Sequence, residues 1–210
     1  MPWVLRSSKL PPSFAELEAA AVAVIRILQG MPEFSNARIA LIGGLGIWKY
    51  FRNYRITQDV DFLITVQGAP EAVKDKLLAI PSSPFQQQAQ LFLYKTPGGK
   101  NIQIDITPDW QSPYLPSAAV PISTVRSASL PYISEIDLLV FKINSCGLRP
   151  TLAKKLRDAT DARFLADHLT SSGPLVLSAT QKNAVLQGLG DVVQLSEKDE
   201  SWWKSKLILG

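Results

Sequence analysis

The stretch IALIGGLGIWKYFRNYRITQDVDFLIT, residues 39–65, joins two apolar runs through a glycine-rich segment and a pair of aspartates. The first run ends in GGLG at residues 43–46, and the second begins with DVD at residues 59–61. Glycines directly after a strand let phosphate groups approach the backbone closely. The stretch therefore indicates phosphate chemistry of one of two kinds: a dinucleotide-binding crossover, or a metal site formed by the aspartates.

The dinucleotide alternative requires G-x-G-x-x-G after the first strand and an acidic residue at the end of the second strand. Gly44 and Gly46 supply the first two glycines, but Lys49 occupies the third position, where a side chain obstructs close helix–strand packing. The aspartates also precede the apolar residues of their strand instead of following them. Both departures count against a dinucleotide-dependent oxidoreductase.

The metal alternative is favoured by the spacing of the acids. Alternate residues of a strand point to one face of a sheet, so Asp59 and Asp61 are expected to project together. Two carboxylates this close repel each other unless a cation lies between them, and their hard oxygen ligands suit Mg²⁺ or Mn²⁺. A D-x-D triplet alone is also common at the solvated start of a strand, so a further ligand is needed.

Asp105 is the candidate for that further ligand. It lies within a third apolar run, residues 101–106, where a buried carboxylate is costly without a partner. If this strand lies beside the strand with Asp59 and Asp61, the three carboxylates can hold two metal ions. Such clusters stabilise the attacking and leaving oxygens of an in-line phosphoryl displacement.

The bulk properties agree with a globular intracellular protein. The 210 residues suffice for one compact domain, or for one domain with a small helical appendage. The sequence has 46% hydrophobic and 19% charged residues, no apolar run long enough to span a membrane, and no secretory leader. A single cysteine, Cys146, excludes a disulfide framework and suits the reducing cytoplasm. The net charge of +4 is compatible with phosphate ligands.

Hydrophobic periodicity and capping signals predict an α+β half followed by a helical half, with the change near residue 126. We therefore expect a core at residues 1–125 and a C-terminal helical region at residues 126–210. Residues 108–121 contain four prolines without periodicity and are expected to form a long surface loop. The predicted strands are 37–42, 59–66, 91–95 and 101–107, and the predicted helices are 14–28, 47–51, 70–78, 135–144, 151–169 and 180–188.

The order of these features resembles the DNA polymerase β-like nucleotidyltransferase superfamily. The similarity consists of a Gly-Gly turn after a strand, a short helix, the motif RITQDVD at residues 55–61, and an aspartate in a later strand. Within the superfamily, the sequence is most similar to the minimal nucleotidyltransferases of the AbiEii toxin type, from about residue 37 to residue 169. The resemblance implies a mixed β-sheet of the nucleotidyltransferase fold flanked by helices and followed by a C-terminal helical region.

The resemblance also implies roles for individual residues in the core. Asp59, Asp61 and Asp105 would hold the metal ions, and Asp105 would also help to activate the acceptor hydroxyl. Gly43 and Gly44 would bring backbone N–H groups against the triphosphate of the nucleotide. Many members carry Ser or Thr after the glycine pair, whereas this chain has Leu45. This departure from the family pattern bears on substrate affinity more than on the fold. By the same resemblance, Thr57 of the RITQDVD motif would contribute to nucleotide binding.

The helical half adds a lysine and two acids to the implied site. Lys142 would contact the triphosphate, and Asp158 or Asp161 would order that lysine or bind substrate. Each has a structural alternative. Lys142 lies among apolar residues and could snorkel from a packed helix. Lys154 and Arg157 precede the two acids by four residues each, a spacing typical of a solvated, salt-bridged helix face.

Together these features predict a metal-dependent nucleotidyltransferase of the cytoplasm. It would move an NMP from an NTP, such as ATP, to a hydroxyl acceptor with release of pyrophosphate. Proteins, tRNA ends and small molecules are all acceptors in families of this kind, and an antitoxin-like protein is a possible partner. The alternative is the same fold used for other chemistry or for binding, without nucleotidyl transfer.

Overall fold

The fold is known from a computed structural model that describes residues 10–66 and 70–209. Within these ranges it has six strands and seven α-helices. The strands are β1 (Arg38–Ile42), β2 (Asp59–Ile64), β3 (Phe85–Gln88), β4 (Leu91–Lys95), β5 (Asn101–Pro108) and β6 (Val120–Pro121). The helices are α1 (Phe14–Gln29), α2 (Gly43–Tyr50), α3 (Pro70–Leu78), α4 (Glu135–Cys146), α5 (Leu152–Leu169), α6 (Ala179–Leu195) and α7 (Glu200–Leu207).

The strands form one mixed sheet in the order β3-β4-β5-β2-β1-β6. Strands β2 and β5 are parallel, and every other neighbouring pair in this sheet is antiparallel. A parallel pair requires a long crossover, and here α3 with the β3–β4 hairpin supplies it. The predicted α+β class and mixed sheet are confirmed.

Alternation along β2 gives the sheet two different faces. Val60 and Phe62 are fully buried on one face, against α1 and α3. Helix α1 begins with a capping box, a pattern of Ser followed three residues later by Glu, in which Ser13 and Glu16 satisfy each other's backbone N–H groups. Asp59 and Asp61 project from the opposite face, towards the C-terminal helices, because their positions alternate with the buried ones.

The C-terminal helices cover this second face. One apolar cluster contains Leu63 of β2 together with Leu139, Ala162 and Val185 from α4, α5 and α6. The backbone of β1 is also tied to the chain just before α4, because the Ile133 N–H donates to the Leu41 carbonyl over 3.1 Å. The predicted helical region therefore packs on the sheet, while the division between residues 125 and 126 stays a prediction.

Several element boundaries differ from those predicted. Helix α2 begins at Gly43 and not at residue 47, so the glycines form its first turn. The edge strand β3 was not predicted because three of its four residues are glutamines without an apolar alternation. The predicted loop 108–121 contains a 3₁₀ turn at Asp109–Gln111 and the two-residue β6, and α6 is longer than predicted. No helix among the described residues combines the length and apolar character needed to cross a bilayer.

Candidate active site

Three carboxylates meet on the face of the sheet that the C-terminal helices cover. The parallel register of β2 and β5 places Asp61 directly opposite Asp105 and Asp59 opposite Gln103. One oxygen from each of Asp59, Asp61 and Asp105 lies within 4.8 Å of the others. The Gln103 amide donates to Asp105 over 2.9 Å and thereby orients it, a contact that the sequence did not predict. Asp105 thus lies alongside the other two acids, as the sequence analysis required.

The donor set fits a divalent cation. Carboxylate oxygens are the ligands that Mg²⁺ and Mn²⁺ prefer. Burial, together with the charges of Asp59 and Asp105, raises the pKa of Asp61 to about 7 against the opposing effect of Lys142 and Arg149. At neutral pH Asp61 is therefore not fully ionised, and a bound cation would offset the repulsion among the carboxylates of the cluster. Their role as metal ligands stays a prediction.

The raised pKa of Asp61 predicts that the metal-free protein loses stability as the pH rises. The folded state holds this proton more tightly than the unfolded chain, where the carboxyl has its ordinary pKa of 3.8. Its stabilising contribution is complete below that value and is lost as the pH rises to about 7. Thermal unfolding in chelator between about pH 5 and about pH 7.5 should show this loss. An Asp61→Asn variant with the same pH dependence would contradict the assignment.

The first turn of α2 lies directly against the carboxylates. The Gly44 N–H donates to Asp61 Oδ2 over 3.4 Å, and the Thr57 hydroxyl donates to Asp59 Oδ1. Gly43 has a φ of +70°, a conformation that other residues rarely adopt. A Cβ at Gly43 would lie only 2.1 Å from Asp61 Oδ2. The glycine pair is thus needed for the close approach of α2 to the acids, and Thr57 orients one of them.

Replacing Gly43 by alanine should therefore destabilise the protein and displace Asp61. The left-handed backbone alone costs about 1–2 kcal/mol for a residue with a Cβ, and the contact with Asp61 adds to this. Urea unfolding measures the loss. Gly190→Ala is a suitable control, because a Cβ there meets nothing within 4 Å in the interior of α6. That control should gain about 0.5–1 kcal/mol; equal stability of the two variants would contradict the argument.

A buried charge network joins the loop before β2 to the C-terminal helices. The Lys142 ammonium contacts Asp158 and lies 3.1 Å from Asp161 Oδ2. Arg55 binds Asp161 with two parallel hydrogen bonds of 2.8 and 2.7 Å. Arg149 pairs with Asp158. Burial opposes ionisation of Asp158, but Lys142 and Arg149 lower its pKa below the usual value.

This network decides between the alternatives left open for α4 and α5. Asp158 and Asp161 are 3% and 1% exposed, so the interpretation of a solvated, salt-bridged helix face is wrong. Lys142 is 5% exposed and ends between the two acids, so its ammonium does not snorkel to solvent. The acids order this lysine, one of the two implied possibilities, whereas its contact with a triphosphate stays a prediction.

Sequence reasoning assigned no role to two members of this network. Arg55 stands at the start of the RITQDVD motif, two residues before Thr57, and that position was the available signal. Arg149 lies in the turn after α4 without a pattern that marks it. Both pair with acids of α5, and only the tertiary structure shows this.

A cleft of about 570 Å³ opens over the carboxylates, and we call it the cationic cleft. Lys154 and Arg157 lie on its wall together with Arg55, Lys142 and Arg149. The predicted site residues that line it are Gly43, Gly44, Thr57, Asp59, Asp61, Asp105, Lys142 and Asp158. Asp161, the remaining predicted site residue, lies behind the wall, where it holds Arg55 and Lys142.

Comparisons with known proteins support the fold. Neither the protein-family models nor the curated proteins gave a match. Among solved structures, an antigenic nucleotidyltransferase-like protein from Paracoccidioides brasiliensis is 20% identical with a TM-score of 0.61, over 94% of this chain and 96% of that one. The Bradyrhizobium diazoefficiens CD-NTase CdnG in complex with GTP is 12% identical, over 94% of this chain and 91% of that one, and its TM-score of 0.31 is too low to inform the fold.

The nucleotidyltransferase fold predicted from the sequence is thus confirmed by a structural neighbour of the same architecture. At 20% identity this similarity defines the fold and not the reaction. The specific relation to the AbiEii type has no support from these comparisons.

Proposed function

We propose that this chain is a metal-dependent nucleotidyltransferase that moves an NMP from an NTP to a hydroxyl acceptor and releases pyrophosphate. The observation that carries the proposal is the convergence of Asp59, Asp61 and Asp105 within 4.8 Å at the base of a cationic cleft, on a nucleotidyltransferase-like fold. Because function is defined by the site and not by the fold, the carboxylate cluster has the greater weight.

The three aspartates would hold Mg²⁺ or Mn²⁺ through their carboxylate oxygens. A divalent cation bound there supplies charge stabilisation to the reacting phosphate. Gly44 and the N-terminal end of α2 would present backbone N–H groups to the triphosphate, since a helix N-terminus favours anions. Lys154 and Arg157, which lie on the wall of the cationic cleft, would neutralise the remaining phosphate charge.

The bond changes follow from this arrangement. The acceptor oxygen forms a bond to the α-phosphorus, and the bond from that phosphorus to the bridging oxygen of the β-phosphate breaks. The pyrophosphate leaves with the electron pair of that bond. The proton of the acceptor hydroxyl passes to Asp105, which Gln103 orients through its amide.

Four finer assignments belong to this proposal. The relation to AbiEii-type enzymes rests on the order of a lysine-bearing helix and an acidic helix after the core, and an antitoxin-like partner rests on that relation. ATP is proposed as a nucleotide by the same resemblance. The cytoplasmic location rests on the single, buried Cys146, which suits a reducing compartment.

The test is an incubation of the full chain with each α-³²P-labelled NTP, with Mg²⁺ or Mn²⁺, and with protein, tRNA and small-molecule acceptors in separate reactions. Label should pass to an acceptor with equimolar release of pyrophosphate, and chelator should abolish both. If calorimetry detects no binding of any NTP in the presence of either metal, the proposal fails. Metal-dependent NTP binding without transfer to any acceptor class would favour a binding function of the same fold.

A further inference from the structure

A second cavity of about 410 Å³ adjoins the cationic cleft. The two cavities share Gly43, Asp61, Lys142 and Arg149, so they meet at the carboxylate cluster. The side chains that make the second cavity partly apolar are Ile42, Pro113, Leu138, Phe141, Leu148 and Pro150. Its volume and its mixture of apolar walls with a few polar groups are typical of small-molecule sites.

The two cavities lie on opposite sides of the Asp61–Asp105 pair along the parallel strands. The cationic cleft is lined by Gln103, which precedes Asp105 by two residues on β5, whereas the second cavity is lined by Thr107, which follows it by two. Four residues of strand separate these positions by about 13 Å. An in-line displacement needs the attacking and leaving oxygens on opposite sides of the phosphorus. If a triphosphate occupies the cationic cleft, the attacking group therefore approaches from the second cavity.

The wall of the second cavity is held in place by buried polar contacts. The Tyr114 hydroxyl donates to Asp137 Oδ1 over 2.6 Å, and the Gln181 amide donates to the same oxygen over 3.0 Å. Asp137 is 5% exposed, and the Tyr114 ring meets Phe141 edge to face at 5.2 Å. These contacts hold Tyr114, which directly follows the lining residues 111–113, against α4, so the cavity is formed before any ligand binds.

The charges of the lining restrict the ligand. Among the described residues that line the second cavity, Asp61 is the one carboxylate, and it belongs to the candidate metal cluster. Lys142 and Arg149 lie at the same end, where Asp158 pairs with both of them. A cationic ligand would find no acid in this lining outside the candidate metal cluster with which to pair, whereas neutral and anionic compounds need no such partner.

Resting on the proposed function, we propose that the second cavity is the acceptor site and takes a small amphipathic hydroxyl compound that is neutral or anionic. Its apolar end would lie against Phe141 and Leu148, and its hydroxyl would point towards Asp61 and Asp105. The alternative occupants of the second cavity are the nucleobase of the NTP and part of a macromolecular acceptor.

Three probes that share a benzyl alcohol and differ in charge test the proposal: benzyl alcohol, 4-(hydroxymethyl)benzoate and 4-(aminomethyl)benzyl alcohol. Saturation-transfer NMR would measure their binding to the full chain with Mg²⁺ and α,β-methylene NTP analogues, which cannot transfer NMP. The neutral and anionic probes should bind at least about tenfold more tightly than the cationic probe. Equal or tighter binding of the cationic probe, or no binding of any probe, would overturn the proposal. Probe binding to the nucleotide-free protein that the nucleotide analogue abolishes would assign the cavity to the nucleobase and overturn the proposal too.

A matched pair of variants locates the binding. Leu148, which is 77% exposed at the edge of the cavity, can become glutamate without disturbing the core. Leu148→Glu should weaken binding of the neutral probe at least about tenfold, whereas Leu186→Glu, at a 46% exposed position on α6, should not. Equal binding by both variants would overturn the placement. Calorimetry with NTP and metal separates the two proposals: absence of nucleotide binding refutes the proposed function, whereas nucleotide binding without probe binding refutes the acceptor site alone.

Discussion

An Asp105→Asn variant is expected to lose nucleotidyl transfer by at least about 10³-fold. A metal cluster contributes several kcal/mol to the stabilisation of charge in a phosphoryl transition state, and about 4 kcal/mol corresponds to a factor of 10³ in rate. Asparagine keeps the shape of Asp105 and can still accept the hydrogen bond from Gln103, so the loss would come from the missing charge and ligand oxygen. Initial rates of pyrophosphate release under saturating NTP measure it.

Two comparisons separate this effect from misfolding. Asp75→Asn, an exposed acid on α3, should retain full activity. The metal-free Asp105→Asn variant should be at least as stable as the unsubstituted protein, because it carries one fewer charge in a cluster of three mutually repelling acids. Transfer at more than a tenth of the normal rate by Asp105→Asn would show that Asp105 is not in the catalytic cluster.

Asp161→Asn should produce the largest loss of stability among the single substitutions considered. It would leave Arg55 without its bidentate partner and Lys142 with Asp158 alone, and these side chains are only 20% and 6% exposed. Removing one partner of a buried ion pair typically costs about 3–5 kcal/mol, because the remaining charge stays desolvated. Urea unfolding monitored by tryptophan fluorescence measures the change in the free energy of unfolding.

The same helix provides a matched control. Asp167 pairs with Lys206 at 3.4 Å on the surface, and its side chain is 55% exposed. Asp167→Asn should cost less than about 1 kcal/mol, since solvent screens such pairs. Similar losses for the two substitutions would mean that the buried network contributes no more than a surface ion pair.

Local features of the fold could be predicted because neighbouring residues determine them. Ser13 and Glu16 mark the start of α1 by a capping box that depends on four consecutive residues. The alternation of Asp59 and Asp61 with buried Val60 and Phe62 follows from the pleat of a single strand. These regularities require no knowledge of what packs against the element.

Other features could not be predicted because residues far apart in the sequence determine them. The acids of α5 have basic residues four positions before them, so the periodicity of the helix alone could not show which face is buried. Arg55 and Asp161 are separated by 106 residues and meet only because α5 folds back over the start of β2. The edge strand β3 forms without an apolar alternation of its own, because it pairs with the backbone of β4.

The sequence by itself determined that a glycine pair follows β1, that the two carboxylates of β2 share one face, and that an α+β core precedes a helical region. Only the tertiary structure decided that Asp105 stands opposite Asp61 and that Asp158 and Asp161 turn inward to Lys142, Arg55 and Arg149. The physical reason is the range of the interactions. Side-chain alternation and helix capping act within a few residues, whereas strand register and burial of charge depend on surfaces that the whole chain brings together.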